Sequence, residues 1–161
     1  WTAEQFDPEL NWGDVEWIKK RWGGKLILKG IMDAEDARLA ADSGADALIV
    51  SNHGGRQLDG APSSIAALPA IAQAVGKDIE VWMDGGIRSG QDVLKARALG
   101  ARGTMIGRSF LYGLGAYGEL GVTRALEIIR RELDLTMAFG GRTDIDTVDE
   151  SILLPGTYPK P

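Results

Sequence analysis

Residues 45–59 read ADALIVSNHGGRQLD. The first seven are mostly apolar, with Ala47–Val50 continuous rather than alternating with polar residues. That pattern predicts a short strand buried on both faces of a parallel sheet. The chain then becomes polar and glycine-rich at once. Three further runs share the form: Lys25–Lys29 (KLILK), Ile79–Asp84 (IEVWMD) and Thr104–Ile106 with its flanks (GTMIG).

Helical patterns separate these runs. Asp33 is placed to N-cap a helix carrying Ala37, Ala40 and Ala41, which stops at Gly44. Ser89 and Asp92 form a Ser-x-x-Asp capping box ahead of Val93, Ala96 and Leu99, with Gly100 as the stop. Residues 63–75 are helical in pattern, with Pro69 inside them. A longer helix is expected from about Val122 to Phe139, burying a stripe of Val122, Ala125, Leu126, Ile129 and Leu133 and ending at Gly140 and Gly141. The order is a helix, four strand–helix units and a tail that closes on Pro-Gly-Thr-Tyr-Pro-Lys-Pro. Repeated βα units mean a parallel sheet, and right-handed crossovers leave two architectures, an open doubly wound sheet or a (β/α)₈ barrel. Four units make half of such a barrel, which would expose sheet edges and needs another half.

Composition narrows the functions. At 161 residues the chain is long enough for one buried core, and 44% hydrophobic with 25% charged residues is globular rather than disordered. The net charge of −5, with no basic run longer than Lys19-Lys20-Arg21, argues against a nucleic-acid surface. The absence of cysteine excludes disulfides and thiolate metal sites. The first residue is Trp1 rather than Met, so a piece of a longer protein is expected.

In parallel βα folds, ligands bind at the carboxyl ends of the strands, and there the polar residues of this chain collect. The third and fourth strands run into Asp84-Gly85-Gly86-Ile87-Arg88 and Gly107-Arg108-Ser109. Glycine lets a backbone approach a ligand closely, helix-start N–H groups bind anions, and arginine adds a two-pronged phosphate contact. Two such turns on neighbouring strands point to a phosphate site. Plain turn chemistry with solvated arginines is the structural alternative. The second strand runs into His53, the only histidine, with Arg56 three residues on. A neutral imidazole can accept a proton, and a guanidinium can hold a carboxylate, which together suit chemistry at the carbon beside an acid group. A lone histidine is otherwise more often structural. Lys29 ends the first run. There it either reaches solvent or places positive charge beside an electron-accepting ring.

The run Ser51-Asn52-His53-Gly54-Gly55-Arg56-Gln57-Leu58-Asp59 resembles the signature of the FMN-dependent α-hydroxy-acid dehydrogenases and oxidases. Lys29-Gly30, Asp84-Gly85-Gly86-Ile87-Arg88 and Gly107-Arg108 are similar to that family's flavin-contacting segments, in the same order, and the likeness runs to about residue 140. The resemblance implies an α/β fold, the C-terminal half of a (β/α)₈ TIM barrel. Residues 1–161 would form part of one FMN-binding domain, with barrel units over 1–141 and an irregular tail over 142–161. It implies an enzyme oxidising an (S)-2-hydroxy acid of the lactate, glycolate or mandelate class to the 2-keto acid, with FMN as cofactor. His53 would be the base and Arg56 the carboxylate anchor. Lys29 would lie near N1 and O2 of the flavin ring, Ser51 would be a further flavin contact, and Asp84 would meet the ribityl hydroxyls. Gly85, Gly86, Arg88, Gly107 and Arg108 would surround the phosphate.

The family's N-terminal half is absent from this chain. It would be the missing partner, supplying four strands, tyrosines over the substrate and an Asp that orients the histidine. Trp1-Thr2-Ala3 would sit where a mobile loop rejoins the fold. An electron acceptor (oxygen, a quinone or a cytochrome), a homotetramer, and a cytoplasmic place or one on the inner face of a membrane are also implied. Two other functions fit the turns: a non-redox FMN or phosphate-binding barrel enzyme, which has no need of the His53–Arg56 spacing, and an inactive half-barrel that serves as an assembly piece.

Overall fold

A computed structural model describes residues 7–160. The expected junction at Trp1-Thr2-Ala3 lies outside the described residues. Helix α1 (Trp12–Trp22) leads to β1 (Ile27–Ile31), α2 (Ala34–Asp42), β2 (Ala47–Val50), α3 (Ser64–Val75), β3 (Glu80–Met83), α4 (Gly90–Ala98), β4 (Gly103–Thr104) and α5 (Arg108–Phe139). The four strands pair in parallel in the order β1-β2-β3-β4.

That sequential order decides between the two architectures. A doubly wound sheet reverses its strand order at a switch point, whereas a barrel adds each strand beside the last. Right-handed crossovers then put the connecting helices on one face. The chain is half of a (β/α)₈ barrel. All four residues of β2 are buried, as its continuous apolar run requires. Leu48, Val50, Val81 and Met83 from the strands pack with Ala37, Ala40, Leu68, Ile71 and Ala96 from the helices. Small alanines on α2 and α4 let those helices lie close to the sheet.

The expected caps form. Asp33 accepts from Glu35 N and Asp36 N, and Ser89 with Asp92 makes a reciprocal capping box. Asn11 caps α1 in the same reciprocal way, with Asp14 as its partner. Pro69 is buried inside α3, which nonetheless starts at Ser64, so packing outweighs its missing N–H.

Three expectations need correction. Lys29 does not end its strand. The strand continues to Ile31, and the register slips between Lys29 and Ile31, so Gly30 forms a bulge. The last helix begins at Arg108 rather than near Val122, with a break at Tyr117 and Gly118. Its two limbs cross backbone to backbone: a Cβ added at Gly113 would lie 2.4 Å from Gly121 O. The glycines that lower helix propensity here are the ones that permit the crossing. Leu126 does not join the buried stripe and is 51% exposed, while Ile129 is buried.

The tail after α5 carries no α-helix or strand among the described residues. Single 3₁₀ turns form at Ile145–Thr147 and Glu150–Ile152. Val148 is buried with Leu94 and Ala98 of α4. Arg97 donates to Ile145 O at 3.0 Å and pairs with Asp146 at 2.9 Å, tying the tail to the helix layer.

Candidate active site

The carboxyl ends of the strands open onto a cleft of about 1150 Å³. Lys29, His53, Arg56, Asp84, Gly85, Gly86, Arg88, Gly107 and Arg108 all border it, so nine of the ten residues singled out in the sequence meet there. Ser51 is the exception: it is only 2% exposed and borders a smaller cavity of about 300 Å³ on the other side of His53.

Strand register explains the first group. Val50 pairs with Met83, so the next residues, Ser51 and Asp84, leave the sheet side by side. Lys29, on the adjoining strand, spans them. Its Nζ donates to Ser51 Oγ at 2.7 Å and pairs with Asp84 Oδ2 at 2.7 Å. Asp84 keeps only 18% of its side chain exposed, and its Oδ1 is buried with no hydrogen-bond donor among the described residues.

His53 has φ +56°, the one non-glycine residue with positive φ among those described. Such a backbone costs about 1–2 kcal/mol for an ordinary residue, and it persists only where neighbours hold it. Here Ser51 Oγ accepts from His53 N at 3.1 Å, Asn52 Oδ1 from Gly54 N at 3.0 Å, and Asn52 O from Gly55 N at 3.0 Å. Asn52 is itself anchored by its N–H to Ser64 Oγ at 3.2 Å and by Nδ2 to Pro62 O at 3.2 Å. The result is a 3₁₀ turn at His53–Gly55 that presents the imidazole to the cleft. The Gln57 amide lies 3.0 Å from His53 Nδ1, which leaves Nε2 as the open nitrogen.

The opposite wall carries the two Gly-Arg turns. Arg88 N and Ser89 N both donate to Asp92 Oδ2 at 3.0 Å, which shapes the turn ahead of α4. Ser109 Oγ donates to Ile87 O at 2.9 Å and so joins the two turns. Arg108 opens α5, and its Nη2 reaches across to Gly54 O at 3.2 Å. The chain as a whole is acidic, yet the cleft gathers Lys29, Arg56, Arg88 and Arg108 against the single carboxylate of Asp84. Its field favours anions.

Sequence reasoning missed several residues here. Gln57 was quoted only as part of the signature, and Asn52 and Ser64 act through backbone groups, which leaves no periodic trace. Tyr112 and Leu111 also border the cleft, because α5 starts earlier than expected and its first turns face inward. Tyr112 follows Arg108 by four residues, a helical spacing that an earlier helix start would have revealed.

A half-barrel with two adjoining Gly-Arg turns at its strand ends defines a βα-barrel protein whose cleft is suited to an anion. The comparisons narrow this class. Residues 1–155 match the family model described as FMN-dependent dehydrogenase. L-lactate dehydrogenase of Caulobacter vibrioides (strain NA1000 / CB15N) is 54% identical over 153 residues, which is 95% of this chain and 40% of that protein. L-lactate dehydrogenase of Pseudomonas syringae pv. syringae (strain B728a) is 53% identical over 154 residues, covering 96% of this chain and 40% of that protein. Among solved structures, mandelate oxidase with (S)-4-hydroxymandelic acid superposes with a TM-score of 0.87 at 45% identity, over 91% of this chain and 41% of that one. The chain belongs to the FMN-dependent dehydrogenase family. It spans about 40% of the length of the curated relatives it matches.

The residues present fit the family's cofactor. A buried carboxylate oxygen without a donor among the described residues is costly, and a polyol hydroxyl would supply one were the Asp84 carboxyl group turned toward the cleft. A Cβ added at Gly86 or Gly107 would meet nothing within 4 Å, so both turns leave open space on the cleft side for a phosphate. No helix among the described residues is long and apolar enough to cross a membrane.

Proposed function

We propose that residues 1–161 are the C-terminal part of one FMN-binding barrel domain, and that the whole protein oxidises an (S)-2-hydroxy acid to the 2-keto acid. One observation carries this reading: a single short turn after β2 places His53 and Arg56 in the same cleft as Lys29, Asp84 and the two Gly-Arg turns. A non-redox phosphate barrel gives no reason for that pairing. The relatives' names, L-lactate dehydrogenase and mandelate oxidase, support a substrate of the lactate or mandelate class.

In the oxidation the substrate loses two electrons, the hydrogen on its α-carbon and the proton on its hydroxyl. Bound FMN supplies the two-electron acceptor. Arg56 holds the substrate carboxylate through two parallel hydrogen bonds and so orients the carbon beside it. His53 Nε2 takes the proton, from the hydroxyl if the α-hydrogen leaves as hydride, or from the α-carbon if a carbanion forms. For this, Nδ1 carries the resting proton, and the Gln57 amide, whose Nε2 lies 3.0 Å from Nδ1, turns over to accept it through its oxygen. Asp84 holds Lys29 in place; Lys29 would stabilise negative charge developing on the flavin, and Asp84 would also hold the ribityl hydroxyls. Arg88, Arg108, Gly85, Gly86 and Gly107 would hold the phosphate, and Ser51, which accepts from Lys29, would be a further flavin contact. The acceptor that completes turnover would be oxygen, a quinone or a cytochrome, and a homotetramer containing the N-terminal half of the barrel would be the working assembly.

The test uses the full-length protein. Its cofactor is released by mild acid and identified by mass, and the flavin is followed by anaerobic stopped-flow with L-lactate, glycolate and (S)-mandelate. FMN and bleaching by at least one of these acids are expected. FAD, no flavin, or a flavin that none of them reduces would overturn the reading.

A further inference from the structure

The turn that carries His53 has three backbone groups held by side chains: Asn52 Oδ1 accepts from Gly54 N, and two further contacts flank it. Ser51 Oγ accepts from His53 N on one side, and Arg108 Nη2 donates to Gly54 O on the other. The second contact crosses the cleft, from the start of α5 to the far wall, over 54 positions of sequence. It lands beside the one strained residue of the turn, with φ +56° at His53 and +69° at Gly54. An added Cβ at Gly54 would lie 3.0 Å from Arg108 Nη2, so the guanidinium is seated against the turn itself.

Arg108 is exposed, and an exposed arginine holds a carbonyl only as firmly as its own side chain is fixed. A phosphate in the cleft changes that. The guanidinium has five N–H donors in a planar fork, enough to grip phosphate oxygens with one edge and Gly54 O with another. From this geometry we propose that Arg108 is a positioning residue that couples the two halves of the site: a phosphate bound at the Gly-Arg turns locks Arg108, and Arg108 in turn orders the His53 turn. The proposal rests on the reading of these turns as a phosphate site. By linkage, ordering the turn strengthens phosphate binding by the same factor. The proton acceptor is then fully positioned only in protein that holds the cofactor's phosphate. A lysine at position 108 would keep the charge but lack the fork, so it could not serve both partners.

The test is amide hydrogen exchange over the peptide 51–58 in the full-length protein, freed of flavin and then given inorganic phosphate or FMN, with binding followed separately by calorimetry. In the wild type, saturating inorganic phosphate alone slows exchange of the turn by about threefold to tenfold, the range expected for firming one charge-assisted hydrogen bond at an exposed site. Arg88→Ala weakens phosphate binding but shows the same protection at saturation. Arg108→Lys still binds phosphate and FMN yet loses the phosphate-dependent protection. Phosphate that saturates the wild type without slowing the turn would overturn the coupling and leave the phosphate site standing, and this arm needs no variant. Equal protection in Arg108→Lys would also overturn it. Inorganic phosphate and FMN that both fail to bind would overturn the phosphate reading and the coupling with it.

Discussion

Replacing Lys29 with methionine keeps the length and apolar stem of the side chain and deletes its charge. In the structure Lys29 Nζ serves Asp84 Oδ2 and Ser51 Oγ, both at 2.7 Å, while Asp84 Oδ1 already has no donor among the described residues. Lys29→Met therefore strands a carboxylate that is 18% exposed. An uncompensated charged group of this kind costs about 1–3 kcal/mol, and the 43% exposure of Lys29 brings solvent screening that places the loss in the lower part, at about 1–2 kcal/mol. Asp84→Asn sets an amide against the ammonium and should lose a similar amount. The double variant removes both charges, so its loss should fall short of the sum by about 1 kcal/mol. Guanidinium denaturation of the full-length flavin-free protein at neutral pH measures all three. Losses that add to within about 0.5 kcal/mol would show the pair to be uncoupled and refute the reasoning. The same three proteins should also bind FMN more weakly than wild type, because the pair borders the cleft.

Other outcomes follow from other parts of the molecule. Arg88→Ala or Arg108→Ala should lower FMN affinity by about 1.5–3 kcal/mol per charge-assisted contact, read by flavin fluorescence titration; unchanged affinity in both would assign these arginines to solvent. Hydrogen bonds from Lys19 and Lys25, with one from Leu26 N, hold the Asp46 carboxyl well below the usual carboxylate range and tie α1 to the sheet. A depressed folded-state value adds stability that is present above the unfolded value of about 3.9 and is lost as pH falls through the folded one. Asp46→Asn should thus be less stable than wild type at neutral pH, with the gap closing as the pH falls below about 4; a pH-independent gap in thermal unfolding would contradict this. Residues 1–161 alone should give no monodisperse, cooperatively melting, active monomer, because β1 and β4 present unpaired sheet edges; sedimentation with a flavin-reduction assay checks it.

The parts of the fold that could be read from sequence are those written locally. The continuous apolar runs gave all four strands, and Asp33 and Ser89 marked two helix starts by their side-chain chemistry. The first limb of α5 was hidden because Gly113, Gly115, Gly118 and Gly121 resemble a loop, and only the backbone crossing explains them. Leu126 misled for a related reason, since a periodic stripe does not say which face a neighbouring element covers. In the site, residue types at the ends of the apolar runs singled out Lys29, His53, Arg56 and the arginine turns, and the family resemblance added Ser51 and Asp84. Their mutual contacts were not legible, because the Lys29–Ser51–Asp84 cluster depends on inter-strand register. The left-handed backbone of His53 was equally hidden, as it is imposed by Ser51, Asn52 and Ser64 acting on backbone groups.

The central claim is that His53 accepts the substrate's proton while Arg56 holds its carboxylate. The most direct measurement is anaerobic stopped-flow reduction of the flavin in full-length wild type, His53→Gln and Arg56→Lys, with L-lactate and (S)-mandelate. A positioned base contributes roughly 10²–10⁴-fold, so His53→Gln should lose that much in the reduction rate while still binding FMN and substrate. Arg56→Lys keeps a positive charge but loses the two-pronged grip, so affinity and rate should fall together. A His53→Gln protein that reduces its flavin at close to the wild-type rate would contradict the account.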